Sequence, residues 1–168
     1  MLWGYTETEV NPMKIASCEL NGMSGHEAGR QLLAELYRQE TGEDLPAIAV
    51  AERGKPYFVG SNLHFSISHT KRHAFCVLAD KAVGIDAEEL DRNIDLRLAD
   101  KILSPKEKAQ FDAAEDQRRA LLKFWVLKEA AAKCSGEGLR GYPKDTDFSM
   151  DDPRVTQIHG CLVALVEG

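Results

Sequence analysis

The chain has 168 residues, of which 43% are hydrophobic and 29% charged, and its formal net charge at pH 7 is -6. A chain this long buries roughly 68–70% of its unfolded surface, so neither a disulfide nor a metal is required for a core, and disorder is excluded on composition. The acidic balance argues against nucleic acid as a partner, and no apolar run approaches the roughly 20 residues that cross a bilayer.

No membrane association and a cytoplasmic location are expected, since the opening "MLWGYTETEV" has no basic segment followed by an apolar one. Four cysteines, Cys18, Cys76, Cys134 and Cys161, form no C-x-x-C pair and are expected as reduced, buried thiols.

In chain order, Ser24 with Glu27 three residues on predicts a helix start, and Leu32, Leu33, Leu36 and Tyr37 follow at helical spacing up to a stop at Gly42. "AIAVAERGKPYFV" reads as a strand, a Gly-containing turn and a second extended piece. "LHFSISHTKRHAFCVLADKAVGIDAEEL" holds three strand-like runs, expected to form a β-meander.

Helices return in "NIDLRLADKIL" and in the long stretch that Ser104 and Pro105 open and Gly136 or Gly138 closes. "DFSM", "VTQIHG" and "CLVALVEG" read as closing strands. The expected fold class is α+β, one compact unit over residues 1–168. Between Arg97 and Arg140 ten Lys or Arg stand against seven Asp or Glu, a local +3 that leaves -9 for the remainder.

Chemistry concentrates in "VGIDAEEL". Strand alternation puts Asp86 and Glu88 on one face with Gly84, which leaves room for a ligand. Two carboxylates roughly 6–7 Å apart repel unless they are solvated or bridged by a hard cation such as Mg²⁺. Taken alone, such a cluster is more commonly a solvated strand end.

Its partner is "KFWVLKEAAAK", where Trp125, Glu129 and Lys133 form one helical stripe, although a surface Glu–Lys pair fits that spacing too. "FSISHT" sets Ser66, Ser68 and Thr70 on one side, and a hydroxyl, an imidazole and the loop amides after them make a phosphate cradle, with Lys55 upstream in a Gly-Pro frame. A hydrolase triad of Ser68, His69 and Asp86 is disfavoured, because adjacent Ser and His on a strand cannot pair as nucleophile and base. His64, His69 and His73 lack zinc-site spacing.

In order, "GKPYF", "FSISHT", "VGIDAEEL" and "FWVLKEAAAK" resemble the 4'-phosphopantetheinyl transferases, in particular the larger, surfactin-synthetase-activating type. The resemblance implies two pseudo-equivalent α/β lobes of roughly 1–80 and 81–168, antiparallel sheets packed with helices, in a monomer with a shortened N-terminal segment. It implies transfer of the 4'-phosphopantetheine arm of coenzyme A to a serine of an apo acyl or peptidyl carrier protein.

By the same resemblance Asp86, Glu88 and Glu129 hold Mg²⁺, with Mn²⁺ also suited, and Glu129 is the base, directly or through a water. Lys133 lies near the diphosphate, and Lys55, Ser68 and His69 hold the nucleotide end of coenzyme A. Arg30 joins them as one of only two basic residues before Arg38. Glu89 matches no ligand position and is expected to be solvated.

Lys101, Lys106, Lys108, Arg118 and Arg119 are the expected docking residues for an acidic carrier. The alternatives are a non-catalytic coenzyme A or carrier-binding homologue and a metal-dependent nucleotide phosphohydrolase.

Overall fold

The computed structural model describes residues 13–138 and 144–168; residues 1–12 and 139–143, including Arg140 of the basic segment, lie outside the described residues. Strand β1 (Lys14–Glu19) leads to helix α1 (Gly25–Thr41). The Ser24 hydroxyl accepts from the Glu27 amide at 3.1 Å, and Gly42 ends the helix in the left-handed region at φ 74°. A small hairpin of β2 (Ile48–Val50) and β3 (Pro56–Phe58) comes next, then β4 (His64–His69), β5 (His73–Ala79) and β6 (Val83–Glu89).

A 3-10 turn at Leu96–Leu98 and the short α2 (Ala99–Ile102) precede α3 (Pro105–Ala113) and α4 (Gln117–Ser135). Ser104 and Glu107 form a reciprocal capping box at the start of α3, as their spacing predicts. Strands β7 (Val155–Ile158) and β8 (Cys161–Glu167) close the described chain.

The result is a mixed fold of helices and antiparallel sheets. One sheet has the order β1-β5-β4, and α1 covers it, packing Leu32, Leu33 and Leu36 among Ala16, Phe65, Cys76 and Leu78. A second has the order β6-β8-β7 and is covered by α4, whose Leu121, Phe124 and Leu127 share a core with Leu162, Ala164 and Val166. Between the sheets, Phe75 and Val77 of β5 pack with Val83 and Ile85 of β6 and Val163 of β8. Truncating a side chain as buried as Phe124 to Ala would cost about 3–5 kcal/mol.

Three expectations are corrected. The third run of the meander leaves its sheet: β6 pairs with β8, not with β5. It still lies beside β4, where side chains take the place of a backbone ladder. Ser66 Oγ accepts from the Ile85 amide and Ser68 Oγ from the Ala87 amide, each at 3.1 Å.

"DFSM" is not a strand. The Phe148 and Met150 amides donate instead to the Glu107 and Gln110 side chains of α3, both at 2.9 Å. Gly84 leaves no space for a ligand, because a Cβ there would fall 1.9 Å from the Ala130 carbonyl oxygen and 2.5 Å from the Cys134 amide nitrogen. The missing side chain lets α4 sit directly on β6, which brings a helical stripe onto the acidic face of the strand. No helix among the described residues is long and apolar enough to cross a membrane.

Candidate active site

With α4 held against β6, Trp125, Glu129 and Lys133 meet the face that carries Asp86 and Glu88. Lys133 Nζ lies 2.8 Å from Asp86 Oδ1 and donates to the Ile85 and Ile67 carbonyls at 3.1 and 3.3 Å. It therefore bridges the gap between β6 and β4. Ser68 donates to Asp86 Oδ1 at 3.2 Å.

Asp86 is 7% exposed, and among the described residues its Oδ2 is the one buried side-chain oxygen or nitrogen with no hydrogen-bond partner. Leaving such an atom unpaired costs about 1–3 kcal/mol, and more when it is charged. Glu88 Oε1 accepts from Trp125 Nε1 at 3.2 Å and from the Arg92 guanidinium. Arg92 also stands over the Trp125 ring, 5.6 Å from its centroid.

Burial raises all three carboxylates, and Asp86 adds to the rise at Glu88 and Glu129. Burial pushes the Glu129 carboxyl up to about 7, with help from Asp86 and Glu88 and against the pull of Lys133 and Arg92. Burial likewise raises Asp86 despite Lys133 and Ser68, and raises Glu88, to which Asp86 adds. The oxygens of Asp86, Glu88 and Glu129 are not all within 4.8 Å of one another, so side chains must turn to share a cation, and the unpaired Asp86 Oδ2 is the donor that points to one. An all-oxygen donor set suits Mg²⁺ or Mn²⁺.

Two clefts flank these acids. The smaller, of about 300 Å³, is lined by Lys55, Ser66, Glu129 and Lys133 among others. The larger, of about 960 Å³, is lined by His69, Lys71, Arg72, Glu88 and Arg92 and reaches Gly25 at the start of α1. Lys55 donates to the Cys134 carbonyl at the end of α4, and burial lowers its ammonium pKa.

Of the sequence-predicted residues, Asp86, Glu88, Glu129 and Lys133 come together, Lys55 joins them from one side and His69 from the other. Ser68 has its hydroxyl committed to Asp86 and the Ala87 amide. Arg30 sits half-buried on α1 and lines neither cleft.

Lys106 is paired with Asp147 at 2.9 Å, Lys108 with Asp112 at 2.6 Å, and Arg118 donates to the Leu90 and Arg92 carbonyls. Arg119 reaches Gln157 at 3.2 Å, and Lys101 is exposed on α2. Glu89 is not solvated as expected. It is 6% exposed, accepts from Thr70 Oγ1 at 2.6 Å and pairs with Arg72. Burial acts to raise its pKa, but the Arg72 and Thr70 hydrogen bonds outweigh it and lower it.

Sequence reasoning missed Arg92 and Lys128. For Lys128 a signal existed: it stands between Phe124 and Ala132, four residues each way on the apolar stripe of α4, so a buried partner was required.

Residues 82–163 match the family model of the 4'-phosphopantetheinyl transferase superfamily. This stretch runs from the residue before β6 through α4 into β8 and contains Asp86, Glu88, Glu129 and Lys133. Just under half of the chain, residues 82–163, is thus similar to the 4'-phosphopantetheinyl transferase superfamily.

Among curated relatives, the chain is 33% identical over 90 residues to the 4'-phosphopantetheinyl transferase gsp of Aneurinibacillus migulanus, covering 52% of this chain and 37% of the relative. It is 32% identical over 96 residues to the 4'-phosphopantetheinyl transferase of Bacillus subtilis, covering 55% and 42%. The protein psf-1 of Bacillus pumilus, also a 4'-phosphopantetheinyl transferase by name, is 34% identical over 80 residues, covering 46% and 34%. The chain thus spans about two fifths of the length of the phosphopantetheinyl transferases it matches. Lys55, Ser68 and His69 precede the stretch matched by the family model.

Proposed function

We propose that this protein transfers the 4'-phosphopantetheine arm of coenzyme A to a serine of an apo acyl or peptidyl carrier protein, releasing adenosine 3',5'-bisphosphate. The observation that carries the reading is buried Asp86 with half-buried Glu88 and Glu129 beside Lys133, with Asp86 Oδ2 unpaired among the described residues, inside the family-matched stretch.

Mg²⁺ or Mn²⁺ would be held by Asp86, Glu88 and Glu129 and would neutralise charge on the diphosphate. Phosphoryl transfer depends on such neutralisation and on an oriented nucleophile more than on covalent catalysis. The carrier serine oxygen bonds to the phosphorus nearest the pantetheine as the diphosphate P–O bond breaks, and the nucleotide leaves with the electron pair. Glu129, with a carboxyl pKa of about 7, is suited to take the serine proton directly or through a water. Lys133 offsets charge on the leaving phosphate, Lys55 and His69 hold coenzyme A from the two clefts, and Ser68 keeps Asp86 oriented.

The same reading treats residues 1–168 as one domain of two pseudo-equivalent lobes, a cytoplasmic monomer with the site at their seam. For the acidic carrier it favours Lys101 and Arg119 as steering residues, since Lys106 and Lys108 are already paired with acids and Arg118 is engaged by backbone carbonyls. Arg30 contributes at most long-range attraction for the coenzyme A phosphates.

The test is incubation of the protein with coenzyme A, Mg²⁺ and a panel of apo carrier proteins, read by intact mass. Gain of one phosphopantetheine per carrier, abolished by Glu129→Gln, is expected. Release of adenosine 3',5'-bisphosphate without carrier would identify a phosphohydrolase, and an unmodified panel with coenzyme A bound would identify a non-catalytic homologue.

A further inference from the structure

On the opposite face of β6 from Asp86 and Glu88, Glu89 stands directly across from Cys161 in the antiparallel register with β8. Residues opposite one another in such a pair project to the same face, so this carboxylate and thiol are neighbours by construction. His73, the first residue of β5, enters from the other sheet.

His73 Nδ1 lies 3.9 Å from Cys161 Sγ and 3.9 Å from Glu89 Oε1. Among the described residues these are the one set of three His, Cys, Asp or Glu side chains identified with ligand atoms all within 4.8 Å of one another. All three are buried, at 8%, 6% and 0% exposure for His73, Glu89 and Cys161.

We infer that His73, Glu89 and Cys161 form a second metal site, for Zn²⁺ or a similarly borderline-soft divalent ion, which staples the two sheets together. With Zn–S near 2.3 Å and Zn–N or Zn–O near 2.0 Å, a tetrahedron has edges of about 3.3–3.5 Å, so each 3.9 Å separation closes by roughly half an ångström. The thiol and imidazole select against Mg²⁺, which separates this site from the all-oxygen set across the strand.

Partners that orient the carboxylate are already in place. Arg72 donates to Glu89 through its side chain and its amide, and the Thr70 hydroxyl donates to Oε1. Thr70 Oγ1 also lies 3.4 Å from the His73 carbonyl, so its proton has a second acceptor when Oε1 turns to a metal.

The His159 ring stacks on His73 with centroids 5.5 Å apart and covers the outer side. Thr70, Arg72 and Glu89 line the larger cleft, which provides an entry path, and a water completes the coordination. Binding releases the Cys161 proton to solvent.

Cobalt(II) added to the purified full chain is the probe. One equivalent is expected to give a thiolate-to-cobalt charge-transfer absorption that persists in Asp86→Asn and is lost in Cys161→Ala, where Cys18, Cys76 and Cys134 remain. His73→Asn must weaken it as well, which keeps the test decisive if Cys161→Ala fails to fold.

Zinc at a hundredfold excess over its dissociation constant should raise the thermal midpoint by roughly 5–10 °C in the parent and in Asp86→Asn, but not in His73→Asn. A charge-transfer band that survives His73→Asn at full strength, or its absence from the folded parent, overturns the site.

Discussion

Lys128 and Glu129 are consecutive residues of α4, yet they belong to two ionic clusters of opposite character, the first buried and the second half-buried around Asp86. Lys128 pairs with Glu107 at 2.8 Å, and Glu107 also accepts from the Ser104 and Phe148 amides at 2.9 Å each. Lys128 reaches Thr146 as well, at 3.3 Å. Both oxygens of that carboxylate are satisfied.

One residue further along, Glu129 faces two other acids that Lys133 and Arg92 offset only in part, and Asp86 Oδ2 has no partner among the described residues. Burial alone therefore does not distinguish the proposed site from a structural bolt. What distinguishes them is whether the buried charge has been fully answered by the protein itself.

Breaking the satisfied cluster should have the largest effect. Lys128→Met leaves Glu107 buried without its cation and should cost about 3–5 kcal/mol in urea unfolding, whereas adding Glu107→Leu should restore much of the loss. On the proposed reading the acidic cluster behaves in the opposite way. Asp86→Asn in metal-free protein should stay within about 1 kcal/mol of the parent, because it removes a charge that was incompletely paired. The stabilisation produced by adding Mg²⁺ should vanish in that variant, as thermal melts with and without the ion would show.

The third contrast is in pH. Between about 4.5 and about 7 the folded protein retains a proton on Glu129 that the unfolded chain has released. Metal-free stability should therefore fall as pH rises through that window, with a shallower slope in Glu129→Gln. Mg²⁺ affinity should rise over the same window as the ligand deprotonates. Smallest of all, Arg92→Gln removes the cation that rests on Glu88 in metal-free protein. It should tighten Mg²⁺ binding by about two- to fivefold in calorimetric titration, the scale of a partly exposed ion pair.

The parts of this molecule that repeat locally were legible in its sequence. Ser24, Gly42, Ser104 and Pro105 mark helix ends because a cap depends on a few neighbouring residues. The stripe Trp125, Glu129 and Lys133 could be placed from helical spacing, and the resemblance then joined it to Asp86 and Glu88.

What sequence spacing could not supply was which elements meet. Three strand-like runs in succession look like a meander, and nothing local reveals that β6 waits for β8 from the end of the chain. The same gap misassigned Glu89, whose partner Arg72 lies across a fold that alternation does not describe. Gly84 was noticed for the right reason, a missing side chain, but a helix rather than a ligand fills the space.

The junction of β4 and β6 has a further consequence. Two serine hydroxyls and the Lys133 ammonium group hold strands that elsewhere would share a row of amide-to-carbonyl bonds. Each sheet keeps its own ladder, so losing these side-chain bonds leaves both ladders intact. Amides of Ile85 and Ala87 should then exchange with deuterium sooner than those of β5, and sooner still in Ser66→Ala or Ser68→Ala. The edge of each sheet at this junction is thus closed by side chains rather than by backbone.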